Sequence, residues 1–302
     1  MPNNPLVSLV SINYNSLKFT LDFIKSVSNL NYDHFEVVLV DNGSTLPLEK
    51  EELEKKYSWL KVIISLENLG FTGGNNLAIK HSTGEYILII NNDTELDPNL
   101  LQNLIFPFTQ DSLIGIVCPK IYYFDSPNRI QYAGFTKINP ITGRNSTIGE
   151  QEIDLGQYSN AYFTQGAHGA AMMVKREILE IIGDFYEPYF LYYEEVDLTY
   201  RIKKAGYKVY FEPSGKVWHK ESSSIGKFSP LKTYYLTRNR ILFMKRNSSK
   251  IQYFLFSVFF WIAVIPKNMI HFFIKKSNFD QIKSFWTGTL DGFRMPPFKP
   301  LD

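Results

Sequence analysis

The chain has 302 residues, of which 44% are hydrophobic, so it can bury a large core without disulfide bonds. Its single cysteine, Cys118, lies in an apolar run, which predicts a small core residue and a reducing compartment. Residues 1–5 lack a basic segment leading into an apolar one, so we expect no signal peptide and a cytoplasmic protein. These features argue against a disulfide-stapled secreted domain.

The two parts of the chain differ in charge. Residues 1–202 contain 14 Lys and Arg against 25 Asp and Glu, whereas residues 203–302 contain 18 against 5. A basic segment of this kind favours nucleic acid, anionic lipid headgroups or pyrophosphate-bearing substrates as partners. The residues that surround these charges have to indicate which of these partners the segment binds.

Strands and helices alternate over the first 122 residues. Because alternation favours parallel strands with right-handed crossovers, we expect the loops after the strands to gather along one edge of a sheet. Asp41, Asn68, Gly73 and Asp93 are predicted to meet at this edge. Apolar, β-branched runs predict strands at residues 7–14, 35–41, 60–65, 86–90 and 114–122, with helices at residues 16–30, 47–57, 77–81 and 98–109.

The stretch at residues 84–97 places three polar residues, Asn91, Asn92 and Asp93, directly after a predicted buried strand. An acidic residue at such a strand end suits a hard cation that carries phosphate, because carboxylate and phosphate oxygens can share the ion. A polar turn that caps the following helix explains the same residues equally well.

The second half of the chain is less regular. Residues 123–165 predict an irregular or antiparallel excursion, followed by a strand at 172–174 and a helix at 175–182. An aromatic run then meets Glu194, Glu195 and Asp197 at the start of a helix that ends at Gly206. Acids favour a first helical turn, and Asp197 can pair with Arg201 four residues later. Desolvation by the aromatic rings would raise the pKa of a carboxylate toward that of a useful base.

Seven segments within residues 6–245 form an ordered set: residues 8–15, 40–44, 68–75, 91–94, 166–171, 190–198 and 218–219. The set resembles the family-2 inverting glycosyltransferases with a GT-A fold, notably the rhamnosyltransferase-like branch that builds bacterial surface polysaccharides. The resemblance implies an α/β fold with a Rossmann-like, mostly parallel central sheet flanked by helices. A C-terminal helical, basic and aromatic appendage completes the expected architecture.

The resemblance also implies a site for a nucleotide-diphosphate sugar, UDP- or dTDP-linked. Asp41 matches the carboxylate that reads the base, and residues 68–75 match a glycine-rich loop that lets the backbone approach the nucleotide. The implied donor-binding residues are Asn13, Asn15, Asp41, Asn68, Gly70, Phe71, Gly74, Asn75, Asn92, Asp93 and Arg238.

Three residues match the family's binding site for a divalent cation, Mg²⁺ or Mn²⁺. Asp93 corresponds to the last acid of the metal-binding motif, and Asn91 replaces the first acid with a neutral oxygen. His219 matches a further ligand or a diphosphate contact. A packed core histidine beside Trp218 is the alternative interpretation of His219.

Glu195 falls where the resemblance places the general base, and Glu194 is the second candidate. The implied acceptor-site residues are Gly166, His168, Tyr193 and Asp197. The resemblance thus predicts a metal-dependent, inverting hexosyl- or rhamnosyltransferase. Its acceptor would be a hydroxyl of a lipid-linked saccharide in the synthesis of a cell-surface polysaccharide such as O-antigen or capsule.

We expect a catalytic domain at residues 1–230, with a nucleotide-sugar half at 1–122 and an acceptor half at 123–230, and a membrane-associating region at 231–302. Residues 251–266 are uncharged but shorter than the roughly 20 residues of a spanning helix. They predict a helix in the interface of an anionic membrane, or a hairpin kinked at Pro266, on the inner face of the plasma membrane. A helix buried against the catalytic domain or a second subunit is the alternative.

Two other functions stay open from the sequence. A nucleotidyltransferase shares the layout, but residues 11–16 contain no Gly, Lys or Arg of the basic glycine-rich loop expected there. A catalytically silent nucleotide-sugar-binding subunit is favoured by Asn91 in place of an acid. The sequence predicts no nucleic-acid partner, and it does not specify the sugar, the base, the acceptor or the oligomeric state.

Overall fold

The computed structural model describes residues 4–221, 229–274 and 279–296. Those parts of the predicted regions that fall on residues 1–3, 222–228, 275–278 and 297–302 lie outside the described residues. The chain divides into two compact units. The first unit comprises the described residues up to Thr136, Thr147–Phe190 and Glu194–Glu221, and the second comprises Lys137–Ser146, Leu191–Tyr193 and the described residues from 229 onward.

The first unit is built on a ten-stranded sheet. Its strands are β1 (Val7–Asn13), β2 (Phe35–Asn42), β3 (Leu60–Ser65), β4 (Tyr86–Ile90), β5 (Thr94–Leu96), β6 (Ile114–Tyr123), β7 (Ser126–Tyr132), β8 (Tyr162–Thr164), β9 (Ala171–Lys175) and β10 (Lys208–His219). Their spatial order is β3-β2-β1-β4-β9-β6-β10-β5, with β7 beside β6 and β8 beside β10.

The sheet is mixed. Strands β1 to β4 pair in parallel, as the alternation of strands and helices predicts, and β10 is parallel to β6. Strand β9 runs antiparallel between β4 and β6, with Ala171 opposite Ile90. The start of β9 and the end of β10 therefore lie at the edge where β1 and β4 end. The segment that precedes β9 reaches the site, which an all-parallel arrangement does not predict.

Six helices flank this sheet: α1 (Leu17–Val27), α2 (Lys50–Lys56), α3 (Gly70–Lys80), α4 (Leu100–Gln110), α5 (Arg176–Ile182) and α6 (Glu194–Lys204). Helix α1 shows why they form, because Thr20, Phe23, Ile24 and Val27 recur at helical spacing and are all buried. Helix α3 begins earlier than predicted, so the glycine-rich segment forms its first turns.

Strand β10 was not predicted, because Pro213 and Gly215 interrupt its sequence and signal a turn. The structure accommodates both residues in an irregularity, where the pairing with β6 shifts between Glu212 and Lys216. The predicted antiparallel excursion at residues 123–165 is confirmed, since β7 pairs antiparallel with β6 and β8 pairs antiparallel with β10.

The second unit is helical, as predicted for the C-terminal region. It contains α7 (Pro230–Asn247), α8 (Lys250–Phe259), α9 (Ile265–Ile274) and α10 (Phe279–Arg294). Helices α7 and α10 pack closely through two small residues. A Cβ atom at Gly288 would lie 2.6 Å from the Tyr234 carbonyl oxygen, and one at Gly292 would lie 2.9 Å from that of Arg238.

The predicted hairpin at Pro266 is wrong. Helices α8 and α9 form one continuous helix over Lys250–Ile274, joined by a π-helical turn at Phe260–Val264. Proline has no N–H to donate, and the helix tolerates it because the wider π turn directly before it already interrupts the regular hydrogen-bond ladder. The helix has 25 residues, so the shortness of the uncharged run does not limit its length.

Candidate active site

The polar residues after β4 lie at the shared strand edge, as predicted. The backbone N–H of Asn91 donates to the Ala170 carbonyl oxygen over 3.0 Å, which joins this turn to the segment before β9. The Asn92 side-chain amide donates to the hydroxyls of Ser16 and Thr20 at 2.8 and 2.7 Å. Helix α1 therefore holds the residue between Asn91 and Asp93.

Asp93 and His219 face each other across this edge. Asp93 Oδ1 lies 3.1 Å from His219 Nε2, and both side chains are buried. His219 Nδ1 lies 2.9 Å from Gln131 Oε1, and Gln131 Nε2 donates to Glu221 Oε1 over 2.9 Å. Since the Glu221 carboxylate can only accept, the Gln131 amide oxygen has to face His219, whose Nδ1–H donates to it. This relay aims His219 Nε2 at the Asp93 carboxylate.

The described residues contain no cluster of three or more His, Cys, Asp or Glu side chains that could hold a metal ion. They do contain three possible metal ligands close together: the Asp93 carboxylate, His219 Nε2 and the side-chain amide of Asn91. The nitrogen of this amide lies 3.5 Å from His219 Nε2. Mg²⁺ at nucleotide sites commonly takes one or two protein carboxylates, with phosphate oxygens and water as the other ligands. A histidine ligand commonly donates its other N–H to an oxygen, as His219 does. The residues therefore fit a divalent cation shared with a diphosphate.

Glu194 and Glu195 open helix α6 as a pair of adjacent carboxyl groups. One oxygen of each, Oε2, is buried and has no hydrogen-bond partner among the described residues. Burial raises the pKa of Glu195 from 4.5 to about 7, against the opposing effect of backbone N–H groups at the helix start. Burial and then the charge of Glu195 hold the pKa of Glu194 well above its ordinary range. Glu195 is therefore the member of the pair that ionises near neutral pH.

Unusual backbone conformations precede this pair. Phe190, Tyr192 and Tyr193 have φ angles of 63°, 70° and 73°, a region that non-glycine residues rarely occupy. Such conformations are costly and tend to occur at functional sites. The strained run sets the point at which helix α6 starts and hence where Glu194 and Glu195 emerge.

Phe190 also explains the glycine at the start of α3. Its carbonyl oxygen accepts the N–H groups of Phe71 and Thr72 at 2.6 and 3.3 Å. Gly70 has a φ of +70°, and a Cβ atom there would lie 2.5 Å from the Phe190 ring and from its carbonyl oxygen. In the structure the backbone at Gly70 approaches Phe190, and its approach to a nucleotide stays a prediction.

The segment Gly166–Ala171 connects the two groups of site residues. A Cβ atom at Gly169 would lie 3.9 Å from Glu195 Cδ, so Gly169 faces the candidate base across a space of about one methyl group. The His168 ring centroid lies 6.4 Å from that of His219. Burial, with His219 second, lowers the pKa of His168 to about 3, so this imidazole is neutral. One short segment thus lies beside both the carboxylate pair and the Asp93–His219 pair.

A family model described as Glycosyl transferase family 2 matches residues 8–183, more than half of the chain. The chain belongs to glycosyl transferase family 2. The matched region contains β1 to β4, the turn at Asp93 and the segment before β9, whereas Glu195 and His219 follow it. Family membership therefore supports the predicted relationship without assigning the base.

Relatives in this family include proteins of glycan synthesis. The Haloferax volcanii low-salt glycan biosynthesis hexosyltransferase Agl10 is 26% identical, over 85% of this chain and 83% of its own length. The Mycobacterium tuberculosis N-acetylglucosaminyl-diphospho-decaprenol L-rhamnosyltransferase is 23% identical, over 74% of this chain and 78% of its own. An uncharacterized Sinorhizobium fredii protein, y4gI, is 26% identical over 82% of this chain, which spans only 28% of that relative.

Two solved structures show the same architecture. GalNAc-T7 with UDP, GalNAc and Mn²⁺ aligns with a TM-score of 0.60 and 17% identity, over 77% of this chain and 48% of that one. The mannosyltransferase PcManGT from Pyrobaculum calidifontis, with GDP-Man and Mn²⁺, aligns with a TM-score of 0.57 and 15% identity, over 95% and 74%. These likenesses confirm the GT-A fold predicted from the sequence.

The family's expected base-reading residue, Asp41, is fully buried in this chain. Its carboxylate accepts hydrogen bonds from the N–H groups of Ser44 and Leu48 and from the Asn13 side chain, at 3.0, 2.8 and 3.1 Å. The Asn15 side chain accepts from the N–H of Thr45 over 2.8 Å. These residues come together where β1 and β2 end and hold the loop after β2. Their contact with a base stays a prediction.

The other donor-site predictions lie along α3. The Asn68 side chain accepts from the Gly70 N–H over 2.8 Å, and the Asn75 side chain donates to the Phe71 carbonyl oxygen over 2.8 Å. A Cβ atom at Gly74 would lie 2.9 Å from an Ile12 methyl group, so this glycine also serves internal packing.

The residues predicted for the acceptor site do not all lie together. The Gly166 carbonyl oxygen accepts from the Tyr132 hydroxyl over 2.6 Å at the segment described above. Asp197 has no exposed surface and pairs with Arg201 at 2.8 Å, as the spacing predicted, while its other oxygen accepts from Tyr189. This geometry favours a structural role for Asp197. Tyr193 and Arg238 belong to the second unit, where the Tyr193 hydroxyl donates to the Gly143 carbonyl oxygen.

Three site features were missed by the sequence reasoning. Gln131 and Glu221 orient His219, and Gly169 faces Glu195. Glu221 lies two residues after the Trp218–His219 motif, so its closeness in sequence to His219 could have indicated a role beside that histidine. Gln131 lies in the poorly patterned stretch at residues 123–165, and nothing in its neighbourhood marks it.

Proposed function

We propose that this protein is a metal-dependent, inverting glycosyltransferase that moves a sugar from a nucleotide-diphosphate donor to a hydroxyl of a lipid-linked saccharide in polysaccharide synthesis. The observation that carries the proposal is the convergence of two groups on the segment Gly166–Ala171. One group is a carboxylate, Glu195, whose pKa is raised to about 7 by burial. The other is the Asp93–His219 pair, whose donor atoms suit a cation that holds diphosphate.

The residues present perform a single in-line displacement. Glu195 accepts the proton of the acceptor hydroxyl as its oxygen bonds to the anomeric carbon, and the bond from that carbon to the diphosphate oxygen breaks. One displacement inverts the anomeric configuration. A Mg²⁺ or Mn²⁺ ion held by Asp93, His219 and Asn91 would supply the positive charge that stabilises the departing diphosphate. Glu194, whose pKa is also raised, by burial and then by the charge of Glu195, lies beside the base.

Purified full-length protein tests the proposal. Calorimetry with UDP, dTDP and GDP, with and without Mn²⁺, measures nucleotide diphosphate binding and selects the base. Release of nucleotide diphosphate from the corresponding nucleotide sugars measures hydrolysis and transfer. Binding with turnover supports the enzyme, binding without turnover supports the silent subunit, and no binding at all contradicts both.

The relay to His219 gives a first prediction. Gln131→Met removes the acceptor of the His219 Nδ1–H while keeping a side chain of similar length. Residues that orient a metal ligand typically contribute about 10- to 100-fold to metal affinity, so Mn²⁺ should bind more weakly by that factor. Calorimetric titration of Mn²⁺ in the presence of the selected nucleotide diphosphate measures it. The exposed Gln110→Met in α4 is the matched control, and equal Mn²⁺ affinity in both variants would remove Gln131 from the site.

The second unit supports association with a membrane, which we include in the proposed function. Among the described residues, Lys250–Ile274 is the helix long and apolar enough to cross a bilayer. One stripe of it packs within the unit, with Phe260 against Phe293 and Phe272 against Phe285. The opposite face leaves large apolar side chains exposed. They include Ile251, Phe254, Ile262, Ile270 and Phe273.

The packing favours a helix that lies in the interface of the inner leaflet. Its ring contacts with α10 occur near its middle, at Phe260, and near its C-terminal end, at Phe272, so α10 accompanies its second half. Helix α10 carries Asp280, Lys283, Asp291 and Arg294 and is unsuited to the hydrocarbon core. Lys250 and Lys267 on the apolar helix, with Lys245 and Arg246 before it, can each add about 1 kcal/mol on anionic lipid.

Three substitutions on the exposed face give the second prediction. Phe254→Ser, Ile262→Ser and Phe273→Ser together should weaken binding to vesicles containing phosphatidylglycerol by more than about 100-fold, because each buried side chain contributes about 1.5–3 kcal/mol. Vesicle co-sedimentation measures the change. Leu46→Ser, Leu66→Ser and Leu155→Ser replace equally exposed apolar residues of the first unit and should leave vesicle binding unchanged. Protease cleavage of the helix region from the outer face would contradict an interfacial position.

A further inference from the structure

Arg240 of helix α7 is a buried cation with few protein partners. Its side chain is 4% exposed, and its Nε–H donates to the Thr142 carbonyl oxygen over 2.7 Å. A guanidinium has five N–H donors, and among the described residues the other four make no hydrogen bond. No Asp or Glu of the described chain forms an ion pair with Arg240.

Arg201 shows what a structural buried arginine looks like in the same chain. It is 8% exposed and pairs with Asp197 at 2.8 Å. Three of its four other N–H donors bond to the carbonyl oxygens of Ile182, Gly183 and Asp184 at 2.6–2.8 Å. Burying a charge is costly unless it is paired and hydrogen-bonded, and Arg201 meets both conditions. Among the described residues Arg240 has no acidic partner, and only its Nε–H is hydrogen-bonded.

The neighbours of Arg240 add positive charge. Arg144 is exposed and lies two residues beyond the carbonyl that Arg240 bonds. Burial, and then the charge of Arg144, lower the pKa of Arg240 to about 10. The rings of Phe256 and Phe260 lie 5.7 Å from the guanidinium and offset part of its desolvation, but they carry no negative charge to balance it. An anion would supply the opposite charge that the described residues do not.

We propose that Arg240 and Arg144 bind the phosphate or diphosphate group of the acceptor lipid. Two guanidinium groups without a carboxylate match phosphate oxygens, which arginine binds in bidentate fashion. Phe256 and Phe260 are buried residues of the apolar helix Lys250–Ile274, so Arg240 lies behind the face that we assign to the membrane interface, and the exposed Arg144 is the member of the pair that reaches the surface. This inference rests on the proposed function and names the feature of the acceptor that the second unit recognises.

The test uses the full chain and phosphatidylcholine vesicles that carry a small fraction of a long-chain isoprenyl diphosphate, without divalent cations. Arg240→Met should bind these vesicles about 10- to 100-fold more weakly, since a hydrogen bond to a charged group contributes about 1.5–3 kcal/mol. Its unfolding temperature should stay equal or rise, because an apolar side chain replaces an uncompensated charge. Lys283→Gln removes one exposed cation from α10 of the same unit and should bind as the wild type does.

Two further arms identify the source of the phosphate. Inorganic pyrophosphate should compete with the diphosphate vesicles for the wild type, which supports recognition of the phosphate group itself. With phosphatidylglycerol in place of the diphosphate, the vesicle affinities of Arg240→Met and of the wild type should differ much less. That result would assign the site to diphosphate and not to anionic lipid in general. If Arg240→Met does not fold, Arg144→Gln at the exposed position gives the same readout.

Arg240→Met that unfolds at lower temperature and binds the diphosphate vesicles normally would overturn the proposal and make Arg240 structural. Wild-type binding that is equal for the two anionic vesicles, with no competition by pyrophosphate, would also overturn it. Calorimetry of nucleotide diphosphates tests the proposed function without lipid, so either hypothesis can fail while the other stands.

Discussion

Glu195→Gln is expected to lower turnover about 10²- to 10⁴-fold, the usual contribution of a general base. The substitution keeps the size of the side chain and removes its ability to accept the acceptor proton. Donor affinity should hardly change, because the proposed base contacts the acceptor hydroxyl and not the nucleotide. Initial rates of nucleotide diphosphate release, together with calorimetry of nucleotide binding, measure the two effects separately.

Glu194→Gln is the matched control for this prediction. Its carboxyl group is adjacent and equally lacks a hydrogen-bond partner at Oε2 among the described residues, and burial also raises its pKa. An amide at this position should cost less turnover, because we assign the proton transfer to Glu195. A dead Glu194→Gln beside an active Glu195→Gln would move the base by one residue. Full activity of both variants would rule out a mechanism in which either carboxylate is the general base.

The raised pKa of Glu195 gives the reaction a pH dependence with a defined sign. The base is active when ionised, so turnover should rise with pH through about 7 and level off above it. The same shift affects stability in the opposite direction. Because the folded-state pKa exceeds the ordinary 4.5, the folded protein holds this proton longer, and the free energy of unfolding falls as pH rises from 4.5 to about 7. Glu195→Gln should remove the dependence of turnover and the contribution of Glu195 to the dependence of stability, to which Glu194 adds a contribution of the same sign.

Asp93→Ala is expected to abolish metal-dependent transfer, with a loss of at least about 10²-fold, because a cation at a departing diphosphate contributes several kcal/mol. The variant should still fold, since the carboxylate faces His219 at a strand end and not the apolar core. Turnover over a range of Mn²⁺ concentrations, with circular dichroism of the folded variant, measures both expectations.

Glu95→Gln is a suitable control, because this acid lies two residues away and pairs with Lys220 at 3.0 Å on the neighbouring strand. It should retain the metal dependence of the wild type. Near wild-type turnover of Asp93→Ala at ordinary Mn²⁺ concentration would make the turn after β4 a capping turn only. That outcome would favour the simpler of the two interpretations that the sequence allowed.

The sequence by itself determined the parts of this protein that depend on local pattern. Apolar runs and the 3.6-residue period predicted β1 to β4 and the helices between them, because each of these elements buries a face that is legible in its own residues. The turn at Asp93 and the acids at the start of α6 were found for the same reason, as short motifs beside recognisable elements. The pairing of Asp197 with Arg201 follows from helical spacing alone.

Only the tertiary structure decided which distant residues meet. The antiparallel insertion of β9 brings residues 166–171 to the site, and the irregular strand β10 carries His219 to Asp93. Both depend on pairing between strands far apart in sequence, which local periodicity does not encode. The same holds for the burial of Asp41 and for the relay through Gln131. It also holds for Arg240, which has no carboxylate partner within the part of the chain that the structure describes, a property that appears only once its neighbours are in place. A charge's partners are a property of the packed structure, because they come from elements that the chain joins only by folding.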